Sequence, residues 1–100
     1  MKKLRVVTVC GMGMGTALLM KMLVENTLRE LGVPASVEAT NVAIASGYKD
    51  ADIIVAIVDL KKNLERLGKP LCLLENVIDK EACKKKLIEV LKQIGYEGFT

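Results

Sequence analysis

The chain of 100 residues contains no histidine and no tryptophan, and its aromatic residues number three, Tyr48, Tyr96 and Phe99. Without histidine no Cys-His or Ser-His pair can form within the chain, so imidazole chemistry has to come from a partner. With so few aromatic rings there is no platform on which bases could stack, which argues against nucleic-acid binding. The core must then be built from Val, Ile, Leu, Ala and Met. Three cysteines at positions 10, 72 and 83 fit neither a CxxC pair nor a metal-ligand spacing, so no metal and no disulfide framework is expected. No apolar run approaches the roughly 20 residues that cross a bilayer. The start, Met1-Lys2-Lys3-Leu4, lacks the long apolar region of a signal peptide, and a cytoplasmic protein that does not itself span the membrane is expected. The net charge of +3 is mild, and the basic run Lys84-Lys85-Lys86 reads as the solvated face of a helix.

What is present is one soluble domain's worth of sequence, 51% hydrophobic and 27% charged, with residues 1–100 read as a single domain. Its organising stretch is Val6-Val7-Thr8-Val9-Cys10-Gly11-Met12-Gly13-Met14-Gly15-Thr16-Ala17-Leu18-Leu19. Strand formers lead into a cysteine, three alternate glycines and a run of helix formers, which reads as strand, tight loop and helix. The unpaired N–H groups of such a loop and of the first helical turn favour an anion. They also favour a thiolate at Cys10, so that sulfur could act as a nucleophile without a base. The same donors could cradle the oxygens of a phosphoryl group, with Gly11, Gly13 and Gly15 permitting positive φ and a close backbone approach. Against this stands the plainer alternative of a buried cysteine ending a strand before a tight turn. The combined strand, cysteine, glycine and helix context favours the chemical reading. Met12 and Met14 offer no strong donor and suit either packing against the sheet end or a soft rim for a partner.

Two better-known loops do not fit. A dinucleotide fingerprint needs its third glycine one residue later than Gly15 and an acidic residue near Thr40. A Walker A loop needs a lysine where Thr16 stands.

The rest of the chain alternates in the same manner. Leu4 to Val9 reads as a buried central strand. A helix follows, with Leu18, Leu19, Met22, Leu23, Leu28 and Leu31 as its apolar stripe until Gly32 and Pro34 stop it. Ala35 to Thr40 alternates as an edge strand, with Val37 and Ala39 inward against Ser36, Glu38 and Thr40. Val42 to Ala45 offers a short helical turn before Ser46-Gly47, and Ala51 to Val58 is a second buried parallel strand. A short helix from Leu60 to Leu67 closes at Gly68, and Leu71 to Leu74 is the fourth strand. Asp79 starts a last helix carrying Ala82, Cys83, Leu87, Val90, Leu91 and Ile94 inward. Cys72 and Cys83 are core positions. Four strand–helix alternations predict an α/β fold, a Rossmann-like four-stranded parallel sheet of order 2-1-3-4 with helices on both faces. The binding crevice then lies at the carboxyl ends of strands one and three, where Cys10 and the loop after Val58 meet.

From Val9-Cys10-Gly11-Met12-Gly13-Met14-Gly15-Thr16-Ala17-Leu18, and from Ala51-Asp52-Ile53-Ile54-Val55-Ala56 further on, the chain resembles the enzyme IIB subunits of the bacterial phosphoenolpyruvate-dependent sugar phosphotransferase system. It is most similar to the ascorbate and galactitol group, with a loop nearer the ascorbate type, and the resemblance runs from Leu4 to about Ile94. It implies that Cys10 is the phosphocysteine and that Gly11, Met12, Gly13, Met14, Gly15, Thr16 and Ala17 form the phosphate-binding loop. It also implies a IIA protein whose phosphohistidine donates to Cys10, and a membrane IIC component holding the sugar that receives the phosphoryl group. No cofactor is implied. The loop also resembles that of low-molecular-weight tyrosine phosphatases, a hydrolase alternative, but Thr16 stands where the arginine of a Cys-x5-Arg loop would be. A non-catalytic regulatory domain of the same fold is the third reading. Asp59, Lys61 and Lys62 follow the third strand, where a lysine could aid an incoming phosphorylated donor.

Overall fold

A computed structural model of the chain describes residues 3–11, 15–76 and 79–96. Met12, Gly13 and Met14, expected to belong to the phosphate loop, lie outside the described residues, as does the side chain of Thr16.

The elements run β1 (Leu4–Cys10), α1 (Gly15–Glu30), β2 (Ala35–Asn41), α2 (Val42–Ala45), β3 (Ile53–Ile57), α3 (Lys61–Leu64), β4 (Leu71–Leu74) and α4 (Lys80–Gln93). Short 3₁₀ turns at Val58–Leu60 and Glu65–Leu67 flank α3, so the single short helix expected there is broken into three pieces. The sheet is wholly parallel with order β2-β1-β3-β4, as the alternating pattern predicts. β1 lies between β2 and β3 and is buried from Val6 to Cys10, because valines point to both faces and both faces are covered. On one face Val6, Ile53, Val55 and Leu74 pack against α1 and α4 through Met20, Leu28, Leu87 and Leu91. On the other, Val7, Val9, Ile54 and Ala56 pack beneath α2 and α3 through Ala45 and Leu64.

The helix ends follow from local chemistry. α1 and α4 each stop at a glycine in the left-handed region, Gly32 at φ 72° and Gly95 at φ 75°. At the first, Val33 N donates to Leu28 O (2.9 Å) and Gly32 N to Arg29 O (3.1 Å). At the second, Tyr96 N donates to Leu91 O (2.9 Å) and Gly95 N to Lys92 O (3.1 Å). This paired pattern satisfies carbonyls that a helix end leaves open, and glycine takes the positive φ without a Cβ clash. Asp79 begins α4 as expected, its Oδ1 accepting from Ala82 N at 3.0 Å.

Four expectations are corrected. β1 runs one residue further than Val9, through Cys10, which pairs in register with Asn41. β3 is shorter than the apolar run, because Val58 already turns into 3₁₀. In β2 the buried residues are Val37 and Thr40 rather than Val37 and Ala39, since Thr40 pairs in register with Val9 and shares the sheet face that α2 covers. The largest change is in α1, where Leu18, Leu19 and Met22 are 49%, 52% and 61% exposed. The buried face is Ala17, Met20, Leu23, Val24, Thr27, Leu28 and Leu31, with the small Ala17 set against the sheet. Both stripes repeat at helical spacing, so periodicity alone could not choose between them.

Candidate functional site

β1 delivers Cys10 to the carboxyl edge of the sheet, and α1 begins five residues later at Gly15. The carboxyl ends of parallel strands, on either side of the point where strand order reverses, form the crevice in such sheets. β1 and β3 are neighbours here with their crossovers on opposite faces, so Cys10 stands at that point. Its side chain is buried, 3% exposed. The expected meeting with the segment after β3 is present. A Cβ placed on Gly11 would stand 3.7 Å from Leu60 Cδ2, and Asp59, Lys61 and Lys62 are exposed around that leucine. Gly11 itself does not take the positive φ expected of it, and a side chain there would meet ordinary van der Waals contact. Its backbone lies in a conformation any residue can adopt, because β1 runs straight through Cys10 before the chain turns.

Ala17, the last of the expected loop positions, lies inside the first turn of α1 with its side chain fully covered. Its carbonyl accepts a hydrogen bond from the buried hydroxyl of Thr8 at 2.9 Å, and Glu38 O stands 3.4 Å from the same hydroxyl. One threonine of β1 thus touches both α1 and the edge strand, two residues before the cysteine. Asn41, in register with Cys10, caps α2 by accepting from Ile44 N at 3.1 Å through Oδ1. The sequence reading did not pick out Thr8 or Asn41. The signals were there: a lone hydroxyl in a strand otherwise made of valines, and a strand-ending asparagine before Val-Ala-Ile-Ala.

The other two cysteines are separated from this edge by position and by chemistry. Cys72 in β4 and Cys83 in α4 are buried at 1% and 0% exposure. Burial pushes the Cys72 thiol up to about 12, with Cys83 and Glu89 adding to the rise and Lys86 opposing it. Burial also pushes the Cys83 thiol up, and Asp79 adds to this while a hydrogen bond from Thr27 works the other way. Both stay protonated and unreactive at neutral pH. All three cysteines carry thiols rather than disulfides.

The carboxyl edge is also where apolar side chains meet water. Leu18, Leu19 and Met22 occupy the first two turns of α1, Ile44 lies in α2 after β2, and Val58 follows β3 directly. All three segments leave the sheet at the same edge as Cys10. No helix among the described residues is long and apolar enough to cross a membrane.

Comparison with known proteins gives the same frame. The family described as "PTS system, Lactose/Cellobiose specific IIB subunit" matches residues 5–91. A curated relative, the ascorbate-specific PTS system EIIB component of Mycoplasma pneumoniae, is 35% identical over 92 residues, covering 90% of this chain and 97% of that protein. Among solved structures, the lactose-specific IIB component domain of the phosphoenolpyruvate:carbohydrate phosphotransferase system from Streptococcus pneumoniae superposes with a TM-score of 0.62. It shares 20% sequence identity and covers 91% of this chain and 97% of its own. A YwlE mutant from Bacillus subtilis superposes at 0.53 with 10% identity, over 92% and 94% of the two chains, a likeness of fold alone. With a family match across most of its length, a relative above one-third identity and the four-stranded 2-1-3-4 sheet they share, this chain belongs to the phosphotransferase-system IIB family, whose members are phosphotransferases working with IIA and IIC components.

Proposed function

We propose that Cys10 is the phosphoryl carrier of this IIB component. The observation that carries the reading is the placement of one thiol at the carboxyl end of the central strand, directly before the α1 N-terminus, while both other thiols are sealed in the core. In the first step the Cys10 sulfur attacks the phosphorus of a phosphohistidine on the IIA partner. The S–P bond forms, the P–N bond breaks, and the proton of the Cys10 thiol passes to the departing imidazole, directly or through solvent. In the second step a hydroxyl oxygen of the sugar held by IIC attacks the same phosphorus. The S–P bond breaks, the thiolate leaves, and the hydroxyl proton passes to solvent. A thiolate is both a competent attacking group and a good leaving group, so sulfur keeps the phosphoryl group transferable in both directions. Backbone donors of residues 11–17, the loop made of Gly11, Met12, Gly13, Met14, Gly15, Thr16 and Ala17, bind the phosphoryl oxygens.

The histidine-free composition supports a donor histidine supplied in trans. The exposed Leu18, Leu19, Met22, Ile44 and Val58 support a face that partners cover in turn, and exposed Lys61 and Lys62 place positive charge next to Gly11 through Leu60. The sugar is ascorbate, a reading supported by the ascorbate-specific relative. The protein works in the cytoplasm beside its membrane IIC partner. Hydrolysis is disfavoured because Thr16 occupies the position at which a Cys-x5-Arg loop carries its arginine.

The test is intact-mass analysis after incubation with a phosphohistidine donor system. One phosphoryl adduct is expected on the wild type and on Cys72→Ser and Cys83→Ser, and none on Cys10→Ser. An adduct that persists in Cys10→Ser overturns the reading. Adding membranes with an ascorbate-type IIC should move the phosphoryl group to ascorbate, and transfer to lactose instead would overturn the sugar assignment.

A further inference from the structure

Val6, Val7 and Val9 surround Thr8 in β1, and Thr8 is wholly buried, with no accessible surface. A hydroxyl in such a place is costly unless bonded, and this one is bonded. It donates to Ala17 O at 2.9 Å, with Glu38 O a longer 3.4 Å away. Alternation along a strand puts Thr8 and Cys10 on the same sheet face. Val6 of that series packs with α1, and the Thr8 bond goes to α1, so this is the face beneath α1. The acceptor lies in the first turn of α1, whose N–H groups have no intrahelical partner. Ala17 is fully covered and carries only a methyl group, which permits the close approach that a bond from strand to helix backbone requires.

We infer that Thr8 is a positioning residue for phosphoryl transfer, its hydroxyl setting the distance between the Cys10 sulfur and the N-terminal turn of α1. This rests on the carrier role proposed for Cys10. Apolar burial of Ala17 and Met20 holds α1 against the sheet, but it is non-directional and does not by itself define the slide of the helix along β1. A hydrogen bond to a backbone carbonyl fixes that slide at the turn that matters. A helix carbonyl has two lone pairs, so Ala17 O can hold the Thr8 bond and an intrahelical bond together. Replacing threonine by valine therefore keeps shape and burial while leaving that acceptor an intrahelical partner. Loss of positioning is thereby separated from loss of packing.

The experiment compares wild type, Thr8→Val and Thr8→Ser, each verified as folded by matching circular dichroism and urea midpoints. The first readout is phosphoryl acceptance from the IIA donor. The maximal rate should fall about tenfold in Thr8→Val, as small misplacements of reacting groups do. The half-saturating donor concentration should be unchanged, because Thr8 touches no partner, and Thr8→Ser should restore most of the rate. The second readout is alkylation of Cys10 by iodoacetamide at a fixed neutral pH, followed by peptide mass. It should slow in Thr8→Val and recover in Thr8→Ser. An unchanged maximal rate and alkylation rate in Thr8→Val overturn the inference, and so does an equal loss in Thr8→Ser, which would assign the effect to side-chain volume. If wild type takes no phosphoryl group on Cys10, the carrier reading fails by itself, and the alkylation series still decides whether Thr8 sets the position of the thiol.

Discussion

Three thiols of one chemical type have been given different fates by their surroundings. Cys10 ends a strand, whereas Cys72 lies in β4 and Cys83 on the buried face of α4, both in the apolar cluster that holds Leu74, Leu87 and Leu91. Desolvation of the thiolate, the first cause of the rise at both, keeps the core pair in the neutral form. That has a consequence for stability. Below the ordinary thiol value of 9.0 both thiols are protonated, folded or unfolded, and the folded state keeps its full advantage. Above it the unfolded chain ionises first and the folded protein loses stability. The loss continues until the folded thiols themselves titrate, near 12 for Cys72. Each thiol held neutral in this way costs about 1.4 kcal/mol per pH unit within that window. Urea midpoints measured from about pH 8 to about pH 10.5 should fall steeply, and the fall should be shallower in Cys72→Val. At the same scale the sequence sets Cys10 apart through its neighbours, since alternating glycines leading into a helix follow it and follow neither of the other two. Thr8 was not legible, because a threonine in a strand is ordinary until its hydroxyl is found bonded to a helix carbonyl.

Secondary structure was readable wherever a stop signal or a cap accompanied the apolar pattern. Gly32, Gly68 and Gly95 mark three helix ends, and all three carry positive φ. Asp79 marks the start of α4, its carboxylate accepting from Ala82 N, one of the donors that a helix start leaves unpaired. Asp79→Ala should lower stability by about 1 kcal/mol, measured by urea unfolding, while leaving phosphoryl acceptance unaltered. That same substitution removes a negative charge which helps to hold the Cys83 thiol up. The rotation of α1 was not readable, because the helix carries two apolar stripes. Leu18, Leu19 and Met22 are the more hydrophobic, but Ala17, Met20 and Val24 fit closer to the sheet. Leu23, Leu28 and Leu31 go under cover as the periodicity predicts, and only the N-terminal part of that stripe, Leu18, Leu19 and Met22, is left outward. In β2 Thr40 goes under cover because it lies beside Val9 on the face that α2 covers.

At the scale of the molecule, strand order and crevice followed from alternation and right-handed crossover, which admit few arrangements of four strands. That is why the 2-1-3-4 sheet and the meeting of the Cys10 end of β1 with the segment after Val58 could be anticipated, while the way α1 seats on the sheet could not. The carboxyl edge gathers the thiol, the start of α1, two lysines and the exposed apolar side chains, and the opposite face of the work is left to the closed core. The same rotation that bares Leu18, Leu19 and Met22 creates a chemical asymmetry between two methionines placed two positions apart in α1. Met20 is sealed at 0% exposure and Met22 stands open at 61%. Peroxide should convert the Met22 thioether to its sulfoxide well before it touches Met20, a difference that peptide mass mapping reads directly. On the proposal that partners cover this stripe, a polar sulfoxide at Met22 should slow phosphoryl acceptance from the donor while circular dichroism stays unchanged, so that oxidation reaches the docking face before it reaches the core.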